Sequence, residues 1–80
     1  MNLYAIKDNK VSFWRPFTQP NEAVAIRDFS NMINHSNDDM VKQNYADLDL
    51  YQLGTYDEHT GEIVSDVKFV AAGASVKKEV

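Results

Sequence analysis

The fold depends on one stretch, Leu48–Val64, with the sequence LDLYQLGTYDEHTGEIV. Its first nine residues alternate between two faces, the period of two that predicts a β-strand. The two sets are Leu48, Leu50, Gln52, Gly54 and Tyr56 on one face, and Asp49, Tyr51, Leu53 and Thr55 on the other. Both sets contain apolar side chains. We therefore expect the domain's own core to cover one face and a second subunit, in a homodimer, to cover the other.

The chain then reverses at Asp57-Glu-His-Thr-Gly61. Asp57 can accept hydrogen bonds from the backbone that follows it, and Gly61 can adopt a left-handed conformation because it has no Cβ. These residues predict a hairpin with a four-residue loop that ends at Gly61. The second strand follows at Ile63 and Val64.

Two more strands are predicted near the N-terminus. Residues 2–7 form a short apolar run that ends at a turn-like cluster, residues 8–10, and residues 11–17 resume an extended pattern. Pro16 cannot donate to a ladder, so we expect the second of these strands to lie at a sheet edge.

A helix is predicted from about Asn21 to Asn34. Asn21 is a favourable N-cap, and Glu22 places a negative charge in the first turn. One apolar stripe follows the helical period: Ala25, Ile26, Phe29, Met32 and Ile33. Residues 40–45 predict one more helical turn.

The C-terminal part is less regular. The run Val67–Ala71 fits a last strand or the start of a short helix, and we predict the strand. Residues 73–80 lack periodicity and predict a frayed tail. The predicted architecture is a single α+β domain over residues 1–72. It is a small, mostly antiparallel sheet built from two hairpins, with the 21–34 helix packed on one face.

Composition narrows the function. The 80 residues contain no cysteine, no apolar run long enough to cross a membrane and no signal-peptide pattern, which together favour a cytoplasmic protein. His35 and His59 have no ligand partner at metal-binding spacing, the aspartates form no calcium-loop pattern, and the glycines form no phosphate-binding loop. We expect no enzymatic activity, no metal and no cofactor.

Charge is segregated along the chain. Residues 1–27 carry a net charge of +2, residues 28–66 carry −8, and residues 67–80 carry +2. An acidic middle between basic ends predicts two electrostatically different surfaces if the ends come together in the fold.

Basic and aromatic residues interleave near the N-terminus, at Tyr4, Lys7, Lys10, Phe13, Trp14, Arg15 and Phe17. Exposed rings stack on nucleic-acid bases while cations neutralise phosphates, so this pattern predicts weak, salt-sensitive binding of single-stranded DNA. The alternative is that most of these rings form the hydrophobic core. The predicted binding residues are Lys7, Lys10, Trp14, Arg15 and Lys68.

Four motifs resemble one family of phage proteins. They are MNLYAIKD at residues 1–8, Pro16-Phe17, NEAxAxRxF at residues 21–29, and LYxLGxYDxxTGxI at residues 50–63. The set resembles the small nonstructural protein of gokushoviruses, the tailless single-stranded DNA phages of the Microviridae, over roughly residues 1–70.

This resemblance implies a DNA-binding or replication-switch protein that favours making and packaging single-stranded genomes, and it places the chain in the cytoplasm of a bacterial host. The family has no agreed list of binding residues to carry over. Because the chain is acidic, a second function stays open. In that alternative, the protein is an adaptor that contacts the replication initiator or the procapsid.

Overall fold

A computed structural model describes residues 1–78 and shows an α+β domain. The elements follow one another in this order: β1 (Asn2–Asp8), β2 (Phe17–Gln19), α1 (Glu22–His35), α2 (Asp39–Asn44), a 3₁₀ turn (Tyr45–Asp47), β3 (Leu48–Tyr56), β4 (Ile63–Ala72) and α3 (Gly73–Val76). The four strands form one antiparallel sheet in the order β2-β1-β3-β4. The predicted fold class is confirmed.

The core lies between the sheet and α1. Tyr4 and Ile6 of β1 and Leu48 and Leu50 of β3 meet three buried residues of the helix, Ala25, Phe29 and Ile33. Val41 of α2 closes one end of this cluster. Burial of these apolar side chains is the main favourable term in folding.

Helix α1 begins and ends within one residue of the prediction. The Asn21 side chain accepts a hydrogen bond from the backbone N–H of Val24 at 3.0 Å, so Asn21 is the N-cap. The predicted apolar stripe faces the sheet, with Ile26 and Met32 at its half-buried margins. The short helix predicted at 40–45 is α2, which begins at Asp39 with Asp38 as its N-cap.

The strand predicted at residues 11–17 is wrong in its bounds. Only an isolated bridge joins Phe13 to Lys7, and the regular strand β2 begins at Phe17. The pairing slips by one residue between Phe13 and Phe17, because Lys7 opposes Phe13 whereas Tyr4 opposes Phe17. Pro16 lies between these two pairings, where the backbone makes no regular strand hydrogen bonds and the missing N–H of proline breaks none. As predicted, this segment forms the sheet edge.

The face assignment along β3 holds only as far as Gln52. There the register shifts, so that Gln52 opposes Tyr4 of the core while Gly54 opposes Leu3 on the other face. Such a shift reverses the faces of the residues beyond it. Gly54 and Tyr56, predicted on the side of Leu48 and Leu50, lie on the other side of the sheet, and Thr55 lies on the core side. Gly54 has φ of 152°, a conformation that other residues rarely adopt.

The predicted hairpin loop is confirmed. The backbone N–H of Asp57 donates to the carbonyl of Glu62 at 2.9 Å and encloses four residues, and Gly61 at the last position has φ of 79°. The separate strand predicted at Val67–Ala71 is instead the continuation of the hairpin's second strand, since β4 runs unbroken from Ile63 to Ala72.

Part of the segment predicted to fray is a helical turn, α3. Gly73 is buried there, and a Cβ on it would overlap the carbonyl oxygens of Tyr45 and Leu48. The side chain of Asn34 in α1 bonds the backbone of Val76 and Lys78. Residues 79 and 80 lie outside the described part of the chain.

Candidate nucleic-acid interface

Within residues 1–78 every helix packs against the core on one side of the sheet, and we call the other side the open face. It is the side opposite α1, and residues that oppose each other in an antiparallel register share a side. Lys7 of β1 opposes Phe13, and Tyr51 of β3 opposes Phe69 of β4. These four residues therefore lie on the open face.

Three aromatic rings form a continuous row across the open face. The ring centroids of Phe13 and Tyr51 are 5.4 Å apart and those of Tyr51 and Phe69 are 5.8 Å apart, both in edge-to-face geometry. The outer rings are accessible, with Phe13 41% and Phe69 55% exposed. We call Phe13, Tyr51 and Phe69 the aromatic row.

The ammonium group of Lys7 lies above this row. Its Nζ atom is 5.4 Å from the Phe13 centroid and 5.7 Å from the Tyr51 centroid, within the range of a cation–π interaction. Asp49 opposes Lys7 across the strands and places a carboxylate on the same face, where it accepts a hydrogen bond from the side-chain N–H of Asn9 at 2.7 Å. Accessible aromatic rings and a cation thus occupy one patch, which suits a base and its phosphate.

A small residue lies within this patch. Ala5 opposes Tyr51, so it belongs to the open face, and it is fully buried there. The rings of Phe13 and Tyr51 meet across the strand that carries it.

The structure does not bring the five predicted binding residues to one face. Lys7 lies on the open face, but Trp14 packs against the core on the opposite side. Lys68 opposes Gln52, which shares its side with the core residue Tyr4. Lys10 and Arg15 are exposed in the segment between β1 and β2. The part of all five residues in DNA binding stays a prediction.

Other aromatic residues of the N-terminal cluster belong to the core, as the alternative interpretation held. Tyr4 is fully buried, and Phe17 packs beside it with its ring centroid 6.1 Å away. None of the three rings of the aromatic row was among the predicted binding residues. Phe13 belonged to the interleaved N-terminal cluster, whereas Tyr51 and Phe69 lie far from that cluster in sequence. The available signal was the alternation of residues 48–56, which already separated Tyr51 from the core side.

The tip of the β3–β4 hairpin forms a second, acidic surface. Its carboxylates at Asp57, Glu58 and Glu62 line an open groove of about 370 Å³, together with Met1, Tyr56 and His59. Backbone hydrogen bonds from His59 and then from Thr60 lower the pKa of Asp57 from its ordinary value of 3.8. Asp57 is therefore ionised at neutral pH and organises the loop as an anion.

No group of three or more acidic or histidine side chains within residues 1–78 is arranged to hold a metal ion. In the same part of the chain, no helix has the length and apolar character needed to cross a membrane.

Comparison with known proteins gives the chain its family. A search among curated proteins found no significant match, and a search among solved structures likewise found none. The family model described as Phage ORF5 protein matches residues 1–76, which is nearly the whole chain and includes every element of the fold. The chain therefore belongs to the Phage ORF5 protein family.

Proposed function

We propose that this phage protein binds single-stranded DNA through the open face of its sheet. In this proposal it is the nonstructural protein of a gokushovirus. It acts without catalysis in the cytoplasm of the bacterial host, and it supports the switch from double-stranded replication to the synthesis and packaging of single-stranded genomes.

The observation that carries the proposal is the aromatic row with Lys7 above it. Any of the bases can stack on an exposed aromatic ring, whatever the sequence of the DNA, and each such contact contributes about 1–3 kcal/mol. Phe13 and Phe69 offer accessible rings on the open face. This arrangement favours single strands, because the bases of a duplex are stacked on one another and cannot reach a protein ring.

Charge sets the expected strength of binding. The chain has a net charge of −4, and Lys7 is the cation nearest the row. Non-specific affinity for DNA comes largely from counterions released by many basic side chains. We therefore expect weak binding. Stacking should contribute an unusually large share of the binding free energy, and counterion release a modest share.

The test is fluorescence anisotropy with labelled oligothymidine at low salt. Phe69→Ala removes an exposed ring from the row and should weaken binding roughly tenfold, within the range for one stacked base. Val64→Ala is the matched control, because Val64 has a similar exposure on β4 but opposes Thr55 and lies on the other side of the strand. It should leave the affinity unchanged.

Two results would reject the proposal: no binding of oligothymidine at low salt, or equal losses in the two variants. Trp14→Ala and Arg15→Ala extend the comparison to the residues predicted from sequence. If those two variants alone lose affinity, the interface lies along the segment between β1 and β2.

A second candidate function is favoured by the acidic hairpin tip. Asp57, Glu58 and Glu62 give this end of the molecule a negative surface that would repel DNA and suits a basic protein surface. The replication initiator or the procapsid is the proposed partner. A pull-down with the initiator that survives nuclease treatment and is lost in Glu58→Lys would favour this adaptor function over direct DNA binding.

A further inference from the structure

The two edges of the sheet differ in how well they are protected. One edge is β2, which has three residues and is preceded by Pro16. The other is β4, which has ten residues, and within residues 1–78 no strand pairs with its outer side. Long, unpaired edges with apolar side chains are sites where another chain can add a strand. Ile63, Val64, Val67 and Phe69 of β4 are all more than half exposed.

The charges of β4 suit one particular partner strand. Asp66 and Lys68 lie on the same side of the strand, with their charged atoms 3.8 Å apart in an exposed ion pair. Val67 lies between them. If a second β4 runs antiparallel with Val67 opposite its own copy, Asp66 of each chain lies opposite Lys68 of the other.

We propose that two copies of this protein pair through β4, in an antiparallel register centred on Val67. Shifting the centre to Asp66 or to Lys68 would place two like charges opposite each other, which is destabilising, whereas the Val67 register creates two cross-strand pairs of opposite charge. The same register places Val64 opposite Val70. Opposed residues place Ser65 and Phe69 on one side of β4 and Val64 and Lys68 on the other, as regular alternation along the strand requires. The pairing of β4 with β3 shifts at Asp66 and Val67 and again at Val70.

This pairing joins the two sheets edge to edge and makes one sheet of eight strands. The two-fold axis is perpendicular to the sheet, so the open faces of both copies lie on the same side. It differs from the dimer expected from sequence, in which the second subunit covers the apolar face. The proposal does not depend on DNA binding, and it is tested without DNA.

The first test uses single cysteines in the full chain, which has none of its own. Directly opposed Cβ atoms lie about 4.5–5.5 Å apart, close to disulfide range, so Val67→Cys should form a disulfide-linked dimer readily under mild oxidation. Ile63→Cys is the matched control, because Ile63 is 59% exposed against 57% for Val67. In this register the two copies of Ile63 lie roughly 26 Å apart. The disulfide of Ile63→Cys should therefore form at least about tenfold more slowly than that of Val67→Cys.

The second test exchanges charges and is read by sedimentation equilibrium. Lys68→Asp alone and Asp66→Lys alone each place like charges opposite each other, and each should weaken self-association by about tenfold. An equimolar mixture of the two variants restores both opposite-charge pairs and should associate as the unsubstituted protein does. A monomer at high micromolar concentration, equal crosslinking of both cysteine variants, or a mixture that stays as weak as its components would each overturn the proposal.

Discussion

Gly54 of β3 lies so close to Val64 of β4 that a Cβ on Gly54 would overlap the carbonyl oxygen of Val64. The contact occurs where the register of β3 shifts, and Gly54 adopts φ of 152° there. Because the shift reverses the faces of the strand beyond Gln52, this one glycine places the hairpin tip relative to the rest of the sheet.

Gly54→Ala should therefore destabilise the domain by about 2–4 kcal/mol, since it adds backbone strain to a steric overlap. Urea denaturation followed by circular dichroism measures the change. Gly61→Ala is the control, because Gly61 also has a positive φ but a Cβ there meets open space. It should cost only about 1–2 kcal/mol. Equal losses at the two sites would show that the close approach of the strands is unimportant.

Asn34 should hold the C-terminal turn against the main helix. Its side-chain N–H donates to the carbonyl of Val76 at 2.9 Å, and its carbonyl oxygen accepts from the backbone N–H of Lys78 at 2.7 Å. Asn34→Ala removes both bonds and should cost about 1–2 kcal/mol.

Hydrogen exchange provides the local measurement for this variant. The amide of Lys78 should lose its protection in Asn34→Ala and keep it in Asn44→Ala, because the side chain of Asn44 donates to the nearby carbonyl of Met40. An unprotected Lys78 amide in the unsubstituted protein would instead support the frayed tail predicted from sequence.

Asp57 should make the hairpin sensitive to acid. Its pKa in the folded protein is lowered by the backbone hydrogen bonds from His59 and Thr60, so the folded pKa lies below the unfolded one. The stabilisation is present above the ordinary value of 3.8 and is lost as the pH falls through the folded pKa.

The variant for this test is Asp57→Asn, which should lower the melting temperature at pH 7 and have little effect near pH 2. Glu58→Gln removes the same charge from the same loop, and the Glu58 carboxylate accepts no hydrogen bond from the described residues. It should leave the melting temperature nearly unchanged at both pH values. A pH-independent effect of Asp57→Asn would contradict the electrostatic origin of the stabilisation.

Lys7 should account for part of the salt dependence of DNA binding. Removing one phosphate contact lowers the slope of log affinity against log salt by about 1. We expect that change in Lys7→Gln, measured by anisotropy at several salt concentrations. Lys42→Gln is the matched control because α2 packs on the core side of the sheet. An equal change in both variants would indicate a diffuse electrostatic effect rather than a contact at the open face.

Local chemistry made much of the fold predictable. The N-cap at Asn21 and the left-handed Gly61 each depend on residues close in sequence, and both were found where the sequence places them. The reversal of faces at Gly54 depends on how β1 and β4 approach β3 from either side. No local pattern encodes that contact.

The candidate site was only partly predictable for the same reason. The interleaved basic and aromatic residues near the N-terminus included both Lys7 and Phe13, but the predicted site took Lys7 and Trp14 from them and left Phe13 out. The bridge between Phe13 and Lys7 places Phe13 on the open face, whereas Trp14 packs against the core. Tyr51 and Phe69 join the row through strand pairing, and their distance in sequence hides this from any short window.

The most direct test of the central claim is an NMR titration of isotope-labelled protein with oligothymidine, observed at the aromatic side chains and the backbone amides. The account predicts that the rings of Phe13, Tyr51 and Phe69 and the amide of Lys7 shift together and saturate with one affinity, while Val64 and Trp14 stay unchanged. Shifts confined to Trp14 and Arg15, or no shifts at any concentration of the oligonucleotide, would contradict it.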